Sequence, residues 1–391
     1  MKKKNICIVT AARSEWGVLR PLAELIKADT SYNLLIFATG THYCSEFGNT
    51  YQEILSDGFN IDERIDMQLY AESPAAISKT IGLTVIGFAD AFSRHDIDLL
   101  VIMGDRYEML GVCIAAMNAK IPIAHLAGGD ITEGAIDDMV RHSLTKFSYL
   151  HFTSCSTSRK RVIQMGENPN RVYDVGELGI DNINNLQLLS LSALSKALDF
   201  DLMDSKYSVV TFHPETMSSD SVEMQCRELL DALSAFPDMK FIITKSNADE
   251  GSGIINSMME TYAHDNHNVL LVSSLGNLKY LSALKYSAMM IGNSSSGIIE
   301  CPYFKIPTIN IGHRQDGRLQ ANTIINCNTK TDEIVKAIQF AQSENFKKSI
   351  QNVSCPYGDG HASEKVLISL HEWLDTDRID LKKKFYDIEV A

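Results

Sequence analysis

The sequence predicts an α/β protein made of two doubly wound domains, each with a parallel sheet covered by helices on both faces. Along the 391 residues, short apolar runs alternate with longer segments of helical periodicity. The runs are apolar throughout, without polar residues at every second position, which is typical of parallel strands buried on both faces. They fall into two sets, and a chain of this length is long enough for two separate cores.

One set of runs lies in the N-terminal half, and the other repeats the same rhythm in the C-terminal half. Strands are expected at 5–11, 33–40, 98–105, 121–129, 150–154 and 171–176 in the first half. In the second half they are expected at 207–214, 240–246, 268–274, 288–294, 307–312 and 323–328. The stretch 177–205 contains no such run, so we predict an N-terminal domain over 1–180 and a C-terminal domain over 181–371. The last helical pattern, at 362–377, and a helix at about 372–391 are expected to pack back on the N-terminal domain.

The composition is that of a folded protein and argues against several classes of partner. Hydrophobic residues make up 45% and charged residues 22% of the chain, and the formal net charge is −13. An acidic chain is poorly suited to nucleic acid, and no apolar run approaches the roughly 20 residues that cross a membrane. The short apolar stretch after the basic N-terminus is interpreted as a first strand and not as a signal peptide.

The eight cysteines are scattered without any CxxC pair, and most of them lie within apolar segments. This pattern is typical of reduced core thiols in a cytoplasmic protein, and the spacing supports no zinc site. We therefore expect a cytoplasmic protein without a bound metal.

The segment IGNSSSGIIE, at 291–300, follows a predicted buried strand that ends at Gly292. Serines at the start of a helix are good N-caps, which is one interpretation. The other is a phosphate site, because hydroxyls and backbone N–H groups would meet a ligand at the positive end of a helix dipole. The residues concerned are Ser294, Ser295, Ser296 and Gly297. Glu300, one turn later, would then accept hydrogen bonds from ribose hydroxyls. A P-loop is excluded, because no GxxxxGK[ST] motif occurs.

Three other strands of the C-terminal half also end in polar or basic residues. His213 ends one strand, where Pro214 turns the chain out of the sheet, and we interpret it as a site residue and not as a structural histidine. Ser246 and Asn247 follow the next strand. Arg314 and Arg318 lie in NIGHRQDGR, at 310–318, where guanidinium groups suit bidentate phosphate binding. The alternative for the last segment is a solvated surface loop.

In the N-terminal half, Asp105 and Arg106 follow a buried strand, and Arg13 follows the first strand. Ligands of open parallel sheets bind beyond the carboxyl ends of the strands, so these side chains are site candidates. Asp105 and Arg106 could form no more than an ion pair with each other. A partly desolvated Asp105 would instead suit a general base.

The segment 125–146 is the densest in candidate residues. Two glycines permit a sharp turn, Asp130 follows them, and a helix is expected to begin near residue 134. Asp137 and Arg141 lie four residues apart on one face of that helix, and Asp138 and His142 on another. Such pairs are usually surface decoration. Clustered carboxylates near a substrate are, however, what removal and return of a proton at carbon require.

Six segments occur in the order found in the UDP-N-acetylglucosamine 2-epimerase family. They are GDRYE, AGGD with IDD and RHSLTK, FHPET, SNADEGS, IGNSSSG with its later Glu, and NIGHRQDGR. The chain resembles the hydrolysing branch of the family, which makes N-acetylmannosamine-type sugars for nonulosonic acids. The resemblance implies a GT-B-like fold, in which two Rossmann-like domains face a cleft and the second domain holds UDP.

The same resemblance implies roles for the matching residues. Ser294 and Ser295 would contact the phosphates and Glu300 the ribose, while the backbone near Leu275 would meet the uracil. The residues that would neutralise the diphosphate are Arg314, His213 and Arg106. Arg13 and Asn247 would assist them.

The implied reaction begins with removal of the C2 proton of UDP-N-acetylglucosamine and anti elimination of UDP from C1, giving 2-acetamidoglucal. Water then adds, with protonation at C2 from the opposite face, and N-acetylmannosamine and UDP are released. Asp105, Asp130 and Asp137 match the acidic positions of the family and form the expected acid/base set, with the individual steps left unassigned. His142 would orient one of them, and no metal or other cofactor is required.

Two positions depart from the family pattern. Asp130 stands where hydrolysing relatives often have Glu, and Ala127 stands where some members have Glu. A shorter carboxyl would leave room for an altered C4 or C6 substituent. A second substrate is therefore kept open, UDP-N,N'-diacetylbacillosamine, which would give 2,4-diacetamido-2,4,6-trideoxymannose for legionaminic acid.

Three other functions also stay open. A non-hydrolysing 2-epimerase would return the UDP-linked epimer, although Ala127 replaces the acidic residue of its HxEAG pattern. A GT-B glycosyltransferase would need an acceptor, and a nucleotide-sugar-binding regulator would not need so many carboxylates. The resemblance further implies a homodimer or homotetramer, for which the apolar segment 111–119 is either a contact surface or a buried helix.

Overall fold

The computed structural model describes residues 2–45, 48–67, 73–132, 136–215, 220–246, 252–376 and 378–389. The chain divides into two compact units. The first unit comprises Met1–Asn182 and Tyr357–Ala391, and the second comprises Ile183–Pro356. Each unit contains one parallel sheet with helices on both faces.

The first unit contains a seven-stranded sheet within the described ranges. Its strands are β1 (Lys4–Thr10), β2 (Tyr32–Thr39), β3 (Glu63–Ile65), β4 (Leu99–Met103), β5 (Ile123–Leu126), β6 (Leu150–Thr153) and β7 (Val172–Asp174). The helices between and after them are α1 (Arg13–Ala28), α2 (Tyr51–Ser56), α3 (Pro74–Arg94), α4 (Glu108–Asn118), α5 (Ile136–Phe147) and α6 (Ser156–Gln164). Helix α7 (Leu178–Asn185) begins in the first unit and ends in the second.

The second unit contains a six-stranded sheet. Its strands are β8 (Tyr207–Thr211), β9 (Lys240–Thr244), β10 (Val269–Val272), β11 (Met289–Gly292), β12 (Thr308–Ile311) and β13 (Ile324–Cys327). Its helices are α8 (Leu191–Leu198), α9 (Val222–Ser234), α10 (Ser252–Asp265), α11 (Gly276–Tyr286), α12 (Ser295–Phe304), α13 (Thr331–Gln342) and α14 (Glu344–Ser349). A last helix, α15 (Ala362–Leu374), belongs to the first unit.

Both sheets are parallel throughout and reverse their strand order once. The first is ordered β3-β2-β1-β4-β5-β6-β7 and the second β10-β9-β8-β11-β12-β13. The order reverses between β1 and β4 in the first sheet and between β8 and β11 in the second. In such sheets ligands bind beyond the carboxyl ends of the strands at the reversal, so each sheet has one candidate ligand site at this place.

Each sheet separates two apolar cores, because its strands are buried on both faces. In β1, Ile6 and Ile8 lie in one core of the first unit, and Cys7 lies in the other. In β8, Val210 lies in one core of the second unit and Val209 in the other. Alternate residues of a strand point to opposite faces, so both faces are covered. This confirms the fold class predicted from the uninterrupted apolar runs.

Every predicted strand corresponds to a strand in the structure, and one strand was not predicted. The missed strand, β3, has only three residues, and Glu63 and Arg64 make up two of them. It pairs with β2 at the edge of the first sheet, where Phe37 lies opposite Glu63. A short charged strand gives no apolar run, so periodicity does not detect it.

The chain leaves the second unit earlier than the predicted boundary at 371, at Pro356. Helix α15 packs against the first unit, as expected for the helical pattern at 362–377, and its residues Val366 and Leu370 lie in the core that contains β1. The Asp181 carboxylate accepts hydrogen bonds from the backbone N–H groups of Ala362 and Ser363, at 2.8 and 2.7 Å, and so caps this helix.

The helix placed at about 372–391 also differs from the structure. Helix α15 ends at Leu374, and the described residues 378–389 contain no helix. They follow the surface of the first unit, where the Lys383 ammonium lies 2.8 Å from a carboxylate oxygen of the buried Glu167. Contacts between single side chains and the domain surface therefore replace the helical hydrogen bonds that were expected.

The apolar segment 111–119 is largely a buried helix, and this decides between the two interpretations given above. Val112, Cys113 and Ala116 of α4 lie in the core of the first unit.

Helix α3 packs beside α4, and by length and composition it could cross a membrane, although a third of its most apolar stretch is buried. The expected absence of a membrane partner and the expected homo-oligomer both stay predictions.

All eight cysteines are free thiols, and six of them are buried. This agrees with the interpretation of core cysteines drawn from their positions in apolar segments. Within the ranges that the structure describes, no three potential metal-binding side chains come together. Independence from metal nevertheless stays a prediction about the chemistry.

Candidate active site

The N-terminus of α12 is held directly beyond the carboxyl ends of β8 and β11. Gly292 ends β11 with φ 134°, and a Cβ atom there would lie 1.9 Å from the Thr211 carbonyl oxygen, so only glycine fits. A Cβ atom on Gly297 would lie 2.6 Å from Thr308 Cγ2, so this glycine lets α12 pack against β12. The two glycines therefore fix the place where the predicted serine loop meets the reversal of strand order.

Within this loop, Ser294 is the N-cap of α12 and its hydroxyl accepts a hydrogen bond from the Ser296 N–H at 3.3 Å. Ser295 begins the helix and is half-buried. The capping interpretation is thus correct for Ser294. It is compatible with an anion site, because the first N–H groups of a helix point outward beyond its cap.

Asn293, which was not among the predicted residues, connects three parts of the site. It is fully buried, its Oδ1 accepts from the His213 N–H at 2.8 Å, and its Nδ2 donates to the His213 carbonyl at 2.9 Å. Its own carbonyl oxygen accepts from Gln315 Nε2 at 2.8 Å and from Arg314 Nη1 at 3.3 Å. One amide side chain and its backbone therefore place His213 and Arg314 beside the serine loop.

The neighbouring loops are fixed by the side chains of two further residues, Ser246 and Glu215. His213 Nδ1 lies 3.1 Å from Ser246 Oγ, which brings two predicted residues together. Glu215 Oε1 accepts from the backbone N–H groups of His313 and Arg314, at 2.8 and 2.9 Å, and so holds the loop after β12. Asn247 lies outside the described residues.

Glu300 lies on α12 with one carboxylate oxygen unused. Its Oε2 is buried and has no hydrogen-bond partner in the described part of the chain. Burial raises the pKa of Glu300, and a hydrogen bond from the Ser296 side chain and the charge of Arg318 oppose that shift. Leu275 is the N-cap residue of α11, and its side chain lies in the core, so only its backbone is available to a ligand.

In the first unit, Arg141 joins the candidate carboxylates. It is 5% exposed, and its guanidinium contacts the Asp105 carboxylate. It also donates to the Asp130 carbonyl at 2.9 Å and to Thr132 Oγ1 at 3.0 Å. The loops after β4 and β5 and helix α5 therefore meet at one buried guanidinium. Asp105 pairs with Arg141 and not with Arg106. The alternative of an ion pair between Asp105 and Arg106 is therefore wrong.

The Asp130 carboxylate is held from a different side. Its Oδ1 accepts a hydrogen bond from Ser154 Oγ at 3.1 Å and another from the Ser158 hydroxyl. Gly129, with φ 85°, lets the chain approach α6 closely, because a Cβ atom there would lie 2.4 Å from the Ser158 carbonyl oxygen. These contacts fix the orientation of Asp130.

Asp137 lies in the first turn of α5, where the negative charge of Asp105 acts on it. Partial burial raises the pKa of Asp137, and so does the negative charge of Asp105, while the charges of Arg141 and Arg106 oppose the shift. A raised pKa favours the protonated form of Asp137, which suits a proton donor.

His142 does not orient any of the three predicted carboxylates. Its Nε2 lies 3.4 Å from Asp138 Oδ2, and the other oxygen of Asp138 accepts from the Thr132 N–H at 2.9 Å. The spacing of four residues along the helix decides this contact. The expected role of His142 is corrected accordingly: it contacts the carboxylate that supports the loop before α5.

Arg106 and Arg13 both have acidic partners. Arg106 Nη2 lies 2.5 Å from Oε1 of the fully buried Glu108, and the charge of Arg106 also acts on the buried Glu15. Arg13 is exposed, and its Nε lies 2.9 Å from Glu53 Oε1. A ligand at either guanidinium would therefore share it with a carboxylate already present.

Glu15 should make stability depend on pH. Burial raises its pKa to about 7, against opposition from Arg106 and from the Ala11 N–H, which donates to its Oε2. Because the folded state then binds the proton more tightly than the unfolded state, this group lowers the free energy of unfolding as pH rises from about 4.5 to above 7. We expect Glu15→Gln to be more stable than the wild type at pH 8, by about 2 to 3 kcal/mol at most, and similar to it at pH 5.

Urea unfolding at the two pH values measures this difference. Glu24→Gln is the matched control, because Glu24 is an exposed glutamate of the same helix. An equal effect of Glu15→Gln at both pH values would contradict the assignment.

Comparison with known proteins identifies the family. A family model described as UDP-N-acetylglucosamine 2-epimerase matches residues 24–371. The chain belongs to this family. The family resemblance predicted from the six ordered segments is thereby confirmed.

Relatives across the whole chain narrow the branch of the 2-epimerase family. The chain is 40% identical to a Campylobacter jejuni protein named GDP/UDP-N,N'-diacetylbacillosamine 2-epimerase (hydrolyzing), over 99% of this chain and 100% of that protein. It is 38% identical to polysialic acid biosynthesis protein P7 of Escherichia coli, over 98% of each. It is 32% identical to a Legionella pneumophila UDP-N,N'-diacetylbacillosamine 2-epimerase (hydrolyzing), over 93% of this chain and 94% of that protein.

A solved structure shows the same fold. The Neisseria meningitidis UDP-GlcNAc 2-epimerase bound to UDP-GlcNAc superposes with a TM-score of 0.81 at 17% identity, over 94% of this chain and all of that one. The predicted GT-B-like fold of the 2-epimerases is therefore confirmed. Like these hydrolysing relatives, the chain is an enzyme. It is a hydrolysing UDP-sugar 2-epimerase.

Proposed function

We propose that the chain converts UDP-N,N'-diacetylbacillosamine and water to UDP and 2,4-diacetamido-2,4,6-trideoxymannose. The supporting observation is that two relatives named for this sugar, at 40% and 32% identity, match nearly the whole chain. This substrate was the alternative in the sequence analysis, where UDP-N-acetylglucosamine was preferred. UDP-N-acetylglucosamine stays the second candidate, because the polysialic acid protein is 38% identical.

The second unit is proposed to hold the nucleotide. The N-terminus of α12 at Ser294 and Ser295, together with Arg314 and His213, would bind the diphosphate. Glu300 Oε2, which has no hydrogen-bond partner among the described residues, would accept a hydrogen bond from a ribose hydroxyl. The support for this assignment is that one buried residue, Asn293, already draws the basic groups to the helix N-terminus.

The first unit is proposed to supply the proton transfers. Asp137, whose pKa is raised, suits the group that returns a proton to C2, and Asp105, beside Arg141, would remove the C2 proton. Asp130, held by two serine hydroxyls, would face the same sugar. As C2–H is lost, the C1–O bond breaks and UDP leaves, giving the 2-acetamido glycal. Water then adds at C1 while C2 takes a proton on the opposite face.

Further proposals are a cytoplasmic location and a homo-oligomer. The cytoplasmic location rests on the cysteine pattern, and the homo-oligomer rests on the family. Size-exclusion chromatography with light scattering measures the second directly.

The substrate is tested by assaying the purified chain on UDP-N,N'-diacetylbacillosamine, its GDP-linked analogue and UDP-N-acetylglucosamine. We expect kcat/KM for the diacetamido sugar to exceed that for UDP-N-acetylglucosamine by at least about tenfold, which corresponds to about 1.4 kcal/mol of differential transition-state binding. Free sugar and free nucleotide are quantified by NMR. Faster turnover of UDP-N-acetylglucosamine would contradict the proposed substrate and favour the second candidate.

A further inference from the structure

A continuous set of hydroxyl groups leads to Glu300 from inside the second unit. Thr244 Oγ1 and Thr211 Oγ1, at the ends of β9 and β8, lie 2.7 Å apart. The Thr211 side chain also acts on the Tyr280 hydroxyl, where it opposes the rise in the pKa of Tyr280 that burial causes. The Tyr280 hydroxyl donates to Ser296 Oγ at 2.7 Å. Ser296 lies four residues before Glu300 on the same face of α12, and its side chain opposes the rise in the pKa of Glu300. We call Thr244, Thr211, Tyr280 and Ser296 the hydroxyl relay.

The relay has a direction. Tyr280 donates a hydrogen bond to Ser296, so the Ser296 hydroxyl hydrogen is available to another acceptor, and the Glu300 carboxyl one helical turn later is such an acceptor. Glu300 Oε2 is buried without a partner in the described residues. A buried acceptor without a donor is costly, so a ligand hydroxyl that reached Oε2 would be bound strongly. Successive hydrogen bonds in such a chain also polarise one another.

The relay adds polar contacts between elements that also share an apolar core. Tyr280 extends from α11, Ser296 from α12, and the two threonines from the ends of neighbouring strands. The hydrogen bond from the Tyr280 hydroxyl to Ser296 links α11 to α12. Loss of the Tyr280 hydroxyl would leave Ser296 free to rotate and to donate elsewhere, and Glu300 would lose its fixed orientation.

We infer that Tyr280 is a positioning residue for nucleotide binding, which aligns Ser296 so that Glu300 presents one carboxylate oxygen to the ribose hydroxyls. The inference rests on the proposed function, in which the second unit holds a nucleoside diphosphate. It concerns the ribose, which UDP and GDP share, and makes no distinction between bases. Tyr280 acts through Ser296 and Glu300 and does not itself contact the ligand.

The test compares wild type and Tyr280→Phe by calorimetry with two ligands, UDP and 2′,3′-dideoxy-UDP. We expect Tyr280→Phe to weaken UDP binding about five- to tenfold, the effect of one hydrogen bond, and to leave binding of the dideoxy nucleotide unchanged. A general structural defect would weaken both ligands equally. Tyr286→Phe is the matched control, because Tyr286 lies on the same helix and is 36% exposed.

A second pair of variants tests the relay one step further from the ligand. Thr211→Val removes the hydroxyl at nearly constant volume, and Thr211→Ser keeps it. We expect Thr211→Val to weaken UDP binding about threefold and Thr211→Ser to restore it. In turnover, Tyr280→Phe should raise KM by the same factor as the dissociation constant and leave kcat unchanged, because ribose binding is uniform between ground and transition states.

The outcomes separate the inference from the function on which it rests. Binding of UDP by the wild type with equal affinity in Tyr280→Phe would overturn the relay and leave the proposed function standing. An equal loss for UDP and dideoxy-UDP would also overturn it, because the ribose hydroxyls would then play no part. Failure of the wild type to bind UDP would overturn the proposed function and the inference together.

Discussion

Replacing Asp105 with Asn is expected to lower kcat by about a thousandfold, since a positioned general base contributes about 10²- to 10⁴-fold. Asparagine has nearly the same shape and can still accept a hydrogen bond from Arg141, so the buried guanidinium keeps a partner. It cannot take a proton from C2 at neutral pH. The measurement is release of UDP under saturating substrate, together with exchange of the C2 hydrogen.

The same variant should bind UDP like the wild type, because the nucleotide is proposed to contact the second unit. Asp90→Asn, an exposed aspartate on α3, is the control for loss of one negative charge and should leave kcat unchanged. A decrease in kcat of less than about tenfold for Asp105→Asn would exclude it as the base and leave Asp130 or Asp137 in that role.

The largest effect on stability is expected at Gly292. An alanine Cβ would lie 1.9 Å from the Thr211 carbonyl oxygen, and φ 134° is a conformation that side-chain-bearing residues rarely adopt. Both β11 and the neighbouring β8 would have to move, so we expect Gly292→Ala to lower the free energy of unfolding by about 3 kcal/mol or more. Hydrogen exchange followed by mass spectrometry should show β8 and β11 exchanging at least about a hundredfold faster.

Gly253 provides the matched control for that substitution in the same unit. It lies near the start of α10, and no atom of the described residues lies within 4 Å of the position a Cβ would occupy. Gly253→Ala should be neutral or stabilise by up to about 1 kcal/mol, because alanine favours a helix more than glycine does. Equal exchange rates in the two variants would show that the close approach at Gly292 is unimportant.

The fold could be predicted because parallel strands are buried on both faces and so leave uninterrupted apolar runs in the sequence. The same logic predicted that His213, Ser294 and Arg314 lie together at one edge of the sheet, as they do, and their role in binding stays a prediction. It failed for β3, which has three residues and two charges. The helical pattern at 362–377 was expected to pack on the N-terminal domain, and α15 does so, although the end of the C-terminal domain was placed at 371 and not at Pro356.

The residues that assemble the site were mostly missed. Asn293 binds the backbone of His213 across 80 positions, and Glu215 binds that of Arg314 across 99. No local pattern distinguishes an asparagine that will be fully buried from one in a solvated turn. Arg141 was seen only as a helical neighbour of Asp137, whereas its main partners are on two other loops.

The alternative of an ion pair between two neighbours in the sequence was wrong. Asp105 and Arg106 are adjacent, yet Arg106 bonds Glu108 and Asp105 contacts Arg141. Adjacent residues at the end of a strand point in different directions, so sequence proximity is a weak guide to contact there. The spacing of four along α5 was a better guide, since it placed Asp138 beside His142.

The central claim is that the enzyme eliminates UDP by removing the C2 proton and then adds water, and the most direct measurement is NMR of the reaction in heavy water. We expect free UDP and a free 2-epimeric sugar with one deuterium at C2, and no accumulation of a UDP-linked epimer. A product that retained its original hydrogen at C2, or an epimer still joined to UDP, would contradict the account.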